Sequence, residues 1–162
     1  GPFNVKTHLD KDMYIAKAQA RNSQGEPTAY FTHKEQINID ITSKINKWHA
    51  HTVMGFYIKD ARNRKIFTTI NGEWPKYDPK SSEISATAMI PPNFLVPGQY
   101  IFTFAISVPH AMVLDWVEDA LVINVIDAGS EFSVYEGGDY GCVFANCTWS
   151  LNNIADRGLS NG

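Results

Sequence analysis

Cysteine is scarce in this chain of 162 residues: there are two, Cys142 and Cys147, five positions apart. On a strand an odd spacing sends side chains to opposite faces, so the pair reads as two free, partly buried thiols of a reducing compartment rather than a bridge. Basic runs are absent as well. Lys and Arg number 14 against 17 Asp and Glu, a formal charge of -3, and without a basic stripe no nucleic-acid partner is expected. No apolar stretch approaches the roughly 18 residues of a membrane-spanning helix, because Pro, Asp, Lys or Asn interrupts each one, so direct membrane insertion is not expected either. Catalytic signatures are missing too. There is no G-x-S-x-G and no Ser-x-x-Lys, and the run Gly137-Gly138-Asp139-Tyr140-Gly141 lacks the Lys-Ser/Thr of a phosphate loop and reads as a turn before a last strand. His49-x-His51 places two imidazoles on one face of an extended chain, but no third ligand follows at a recognisable spacing. Neither a metal nor any other cofactor is expected. The sequon Asn146-Cys147-Thr148 would matter only in a secreted chain, and no signal-peptide pattern is seen.

What the chain does have is the composition of one folded domain, 44% hydrophobic and 19% charged. At this length roughly 70% of the unfolded chain's surface is buried on folding, enough for a core without disulfides or a structural metal. Strand periodicity runs through it. Ile37, Ile39 and Ile41 alternate with Asn38, Asp40 and Thr42; Met54, Phe56 and Ile58 alternate with Gly55, Tyr57 and Lys59; Tyr100, Phe102, Phe104 and Ile106 alternate with Ile101, Thr103, Ala105 and Ser107. Residues 14–21, 65–70, 84–90 and 121–126 are further candidates, and 22–25, 60–63, 91–93 and 97–98 carry turn chemistry between them. The best helical candidate, 113–119, is too short for more than a turn or two. About seven or eight short strands at this spacing predict an all-β fold, an antiparallel β-sandwich of immunoglobulin-like or jelly-roll type.

A candidate site follows from the face opposite Met54, Phe56 and Ile58. It presents His51, Gly55 and Tyr57 on one strand and Thr103 and Ser107 on the next. Small side chains beside one aromatic ring suit a sugar, which offers hydroxyls for hydrogen bonds and C–H patches for stacking. The long connection 71–82 begins at Asn71 and carries Trp74 and Tyr77, which would form a wall. An ordinary solvated sheet face is the plain alternative, with Trp74 capping one end of the sandwich. Asp115-Trp116 followed by Glu118-Asp119 resembles an acidic-aromatic binding motif, but a Trp just before a strand is read as a plug at the end of the sandwich. A site near Tyr135 and Tyr140, at a seam between two copies, is the second choice of position.

Several segments carry a resemblance to a known family. The run Gly55-Phe56-Tyr57-Ile58-Lys59-Asp60, then Lys65-Ile66-Phe67-Thr68-Thr69, Ile90-Pro91, Pro97-Gly98-Gln99-Tyr100 and Leu114-Asp115-Trp116-Val117-Glu118-Asp119-Ala120-Leu121 resembles the C-terminal carbohydrate-binding domain of Wzt-type proteins. These are the ATPase subunits of ABC transporters that export O-antigen polysaccharide, and the likeness runs from about residue 13 to Trp149. It implies an immunoglobulin-like sandwich without catalytic activity that recognises the capped non-reducing end of an O-antigen glycan. It also implies a homodimer with an exchanged C-terminal strand, here 142–151, and a parent protein whose ATPase domain and membrane partner place it in the cytoplasm at the inner face of the inner membrane. The family's segment resembling Gly-Thr-Asn-Thr is replaced here by Thr68-Thr69-Ile70-Asn71, so a sugar contact there does not carry over.

The expected organisation is a tag scar (Gly1-Pro2) and linker over 1–12, a carbohydrate-binding sandwich over 13–151, and a polar tail over 152–162. Two other functions remain open on sequence alone: a glycan-active hydrolase or lyase, which would turn substrate over, and a protein-interaction sandwich, which would bind no sugar.

Overall fold

The computed structural model describes residues 3–4, 8, 10–71 and 81–129. Within them lie nine strands and no helix: β1 (Phe3–Asn4), β2 (Met13–Arg21), β3 (Tyr30–Thr32), β4 (Ile37–Ile45), β5 (Val53–Asp60), β6 (Lys65–Asn71), β7 (Glu83–Ile90), β8 (Gly98–Val108) and β9 (Met112–Ile126). They form two sheets, one in the order β1-β2-β4-β7 and one in the order β3-β9-β8-β5-β6. Every pairing is antiparallel except that of β3, which runs parallel to β9 at the edge of the larger sheet. The segment 113–119 is not helical; it lies inside the long strand β9. Val113, Trp116 and Val117 explain the preference, since branched and aromatic side chains fit a pleated surface better than a helical turn.

The alternation seen in the sequence is the core. Ile37, Ile39 and Ile41 of one sheet and Met54, Phe56, Ile58, Phe102, Phe104 and Ile106 of the other are all buried between the layers. The Phe56, Phe102 and Phe104 rings of the larger sheet pack within 5.3 to 6.0 Å of one another on its inner face.

Two polar devices fix the ends of this core. Pro97-Gly98-Gln99-Tyr100 starts β8, and the buried Tyr100 donates its hydroxyl back to the Val96 carbonyl at 2.5 Å. That is the corner geometry found in immunoglobulin-like sandwiches. Tyr100→Phe removes the donor without changing the shape, so a loss of about 1 kcal/mol is expected in urea unfolding; unchanged stability would show that the corner is decorative. The second device is Asp115. It faces inward opposite Ile106, and its carboxylate accepts from the Ile15 N–H at 2.7 Å and from Lys11 Nζ at 2.6 Å. One aspartate thus ties β9 of the larger sheet to β2 of the smaller.

The outer face of the smaller sheet is a polar ladder. Asp40 on β4 is held by Arg21 on β2 and accepts from Thr87 Oγ1 on β7 at 2.7 Å. The hydrogen bond from Arg21 holds the Asp40 carboxyl down at about 2, against an ordinary value of 3.8. A depressed carboxyl pKa stabilises the fold above the unfolded value, so this contribution is complete above about pH 4 and is lost as the pH falls through about 2. Arg21→Met should therefore flatten the acid limb of a stability–pH curve, and a limb of unchanged steepness would overturn that assignment.

Candidate functional site

The outer face of the larger sheet is built from alternate residues of β5, β8 and β9. Tyr57 stands opposite Thr103, Gly55 opposite Ala105, and Val53 opposite Ser107. On the other side of β8, Trp116 stands opposite Ala105. Trp116 points outward because its neighbour Asp115 is anchored inward, and successive side chains on a strand take opposite faces. Half of its surface (51%) remains exposed.

Between Phe102 and Phe104 the register of β9 breaks. Glu118, Asp119 and Ala120 together face Thr103, and Asp119 adopts a left-handed backbone with φ of 51°. Aspartate tolerates this conformation better than most residues, and the Asp119 N–H donates to Thr103 Oγ1 at 3.2 Å. The irregularity puts the Asp119 carboxylate 2.9 Å from Lys59 Nζ on β5. The hydrogen bond that Lys59 donates to this carboxylate holds its ammonium above its ordinary pKa.

Two pairs consequently reach from β5 to β9 over the top of β8. Tyr57 and Trp116 meet with ring centroids 5.9 Å apart and planes tilted by 47°, and Lys59 meets Asp119. Beneath them β8 carries the small residues Ala105 and Thr103, which lets the flanking side chains close in. Thr103 is only 1% exposed although it sits on the outer face. Lys65 on β6 adds a cation on the far side, its Nζ 4.4 Å from the Tyr57 ring centroid. The surface is thus an exposed indole, a half-buried phenol, an ion pair and a second ammonium.

The sequence-based candidates distribute unevenly over this surface. Tyr57 is at its centre, but Lys65 covers part of the ring, so the open platform is Trp116. Thr103 lies under the site, its hydroxyl engaged by Asp119. Ser107 is on the same face, four residues further along β8, and His51 lies in the turn before β5 with φ of 62°. Asn71 pairs with Met54, so it belongs to the opposite face of the sheet from Tyr57. Gly55 does not leave a vacant space: a Cβ there would stand 2.4 Å from the Thr69 carbonyl oxygen, so its role is the close approach of β6. Gly55→Val therefore probes the sheet before it probes any ligand. Trp74 and Tyr77, like Tyr135, Tyr140 and the two cysteines, lie outside the described residues. His49 bonds Asp12 through Nε2 at 2.7 Å, and no cluster of three metal-binding side chains occurs among the described residues.

The fold is a two-layer β-sandwich that carries an aromatic pair and paired charges on one outer sheet face. Comparison with known proteins makes the assignment more particular. The Wzt C-terminal domain family matches residues 6–143, and the chain belongs to that family. The crystal structure of the C-terminal domain of wzt is similar to it with a TM-score of 0.70 over 94% of this chain and 88% of that one, at 14% identity. No protein of curated function matches the chain.

Proposed function

We propose that this domain is a non-catalytic carbohydrate-binding module that recognises the non-reducing end of an O-antigen polysaccharide and thereby licenses its export by an ABC transporter. Membership of the Wzt C-terminal domain family supports the transport setting. The observation that carries the binding reading is the outward Trp116, half exposed beside Tyr57, on a face that also carries the Lys59–Asp119 pair and Lys65 against the Tyr57 ring. An exposed indole costs solvation unless something apolar covers it, and the C–H face of a sugar ring does so while its hydroxyls meet the charged neighbours. In the parent protein the ATPase domain and the membrane subunit would be its partners, and it would work in the cytoplasm at the inner face of the inner membrane.

The test is an array of bacterial surface polysaccharides probed with the isolated domain. Retention of a subset of glycans, without release of cleaved product, is the expected result. Failure to retain any glycan would refute the reading, and turnover would move the domain to the enzymes. Dimerisation through the segment 142–151 belongs to the same proposal, and light scattering should then give twice 18.1 kDa.

A further inference from the structure

Lys59 and Asp119 differ from an ordinary surface ion pair in how they are held. Long side chains on a surface usually wander, and such pairs contribute little. Here the Lys59 side chain is only 17% exposed, and Asp119 is set by its own backbone through the left-handed φ and the hydrogen bond to the buried Thr103. The register break that creates this arrangement falls beside the aromatic pair, and it re-aims the Asp119 side chain toward Lys59.

The pair has bonding capacity left. An ammonium has three donors, and among the described residues Lys59 gives one of them to Asp119; a carboxylate has two oxygens with about four acceptor positions. Its two ends stand 2.9 Å apart, close to the separation of two neighbouring hydroxyl oxygens on a pyranose ring. One hydroxyl can donate to Asp119 while the next accepts from Lys59 Nζ, and both bonds are charge-assisted. Along the sheet, Lys59 stands opposite Ile101 and Tyr57 opposite Thr103, two residues or roughly 7 Å apart. One sugar ring with its hydroxyls spans that interval, so a residue stacked on Trp116 and Tyr57 would present its edge to the pair.

From this geometry we propose that the Asp119–Lys59 pair is the specificity-determining element of the face, selecting pyranoses with an unsubstituted vicinal diol. The inference rests on the carbohydrate-binding reading and goes beyond it by naming the sugar class and the residues that select it. Asp119→Asn is the informative variant, because asparagine also tolerates the left-handed backbone while losing the charge. Lys59→Met is its partner.

The probes are glycans retained by the parent domain, before and after periodate cleavage of their vicinal diols followed by borohydride reduction, together with hexopyranosides and their monodeoxy analogues. Periodate treatment should abolish retention. Asp119→Asn and Lys59→Met should each weaken binding of intact glycans by about tenfold and bring the affinity ratio between a hexopyranoside and its monodeoxy analogue close to one. Undiminished retention of oxidised glycans would overturn the proposal, as would variants that keep the parent's ratio, whether or not they bind more weakly. If Trp116→Ala loses binding while both variants keep the parent's affinity and ratio, only the selectivity proposal falls. If the parent retains no glycan at all, the carbohydrate reading fails and takes this proposal with it.

Discussion

Replacing Asp115 by alanine is expected to cost about 3 kcal/mol of folding stability, the largest single loss from a polar residue among the described positions. The side chain is 1% exposed and links β9 of the larger sheet to β2 of the smaller through hydrogen bonds. Its removal strands the Ile15 N–H, whose acceptor lies across the sandwich, and leaves the Lys11 ammonium without its carboxylate. For a domain of this size the loss corresponds to a drop in Tm of about 9 °C. Asp115→Asn keeps an acceptor for Ile15 and should lose about half as much. Lys11→Met should lose about 2 kcal/mol, less than Asp115→Ala because the lysine is 35% exposed, but it leaves the buried Asp115 carboxylate without its counter-ion. Thermal unfolding of the three variants checks the order; an Asp115→Ala protein that melts with the parent would show that the anchor is dispensable.

Trp116→Ala should have the largest effect on binding. The indole supplies both the exposed apolar area and the stacking face, together worth about 2 kcal/mol against a sugar ring, or roughly thirtyfold in affinity. Tyr57→Ala should weaken binding by about tenfold, because Lys65 already occupies part of that ring. Stability should change little in Trp116→Ala, whose side chain is half exposed and touches the Tyr57 ring rather than the core. Titration with a retained glycan, set beside the melting curves, separates the two quantities. Parent-like affinity in Trp116→Ala would move the site away from this face.

The two expectations meet at one dipeptide. Asp115 and Trp116 are neighbours, and the inward anchoring of the first turns the second outward. Asp115→Ala thus bears on binding as well as on stability, through the phase of β9.

Strand alternation was enough to place the core. Ile37, Ile39 and Ile41, Met54, Phe56 and Ile58, and Phe102, Phe104 and Ile106 repeat at a period of two, and any fold that buried the opposite set would bury Asp40, Lys59 and Thr42 instead. The resemblance in sequence likewise pointed to the family that the full comparison shows. Of the proposed binding face, the sequence alone made only Tyr57 and its strand neighbours legible. Trp116 does not plug the end of the sandwich, as a tryptophan just before a strand would: the Ile15 amide and Lys11, each at least 100 positions away in the chain, anchor Asp115 inward and leave Trp116 on the outer face. Asp119 and Lys59 are 60 positions apart and meet only because β9 breaks register over Thr103. Periodicity is a property of neighbouring residues and is written in the sequence. Which polar side chain finds a buried partner, and which aromatic ring is left facing water, depends on distant strands arriving together, and the tertiary structure alone decided it.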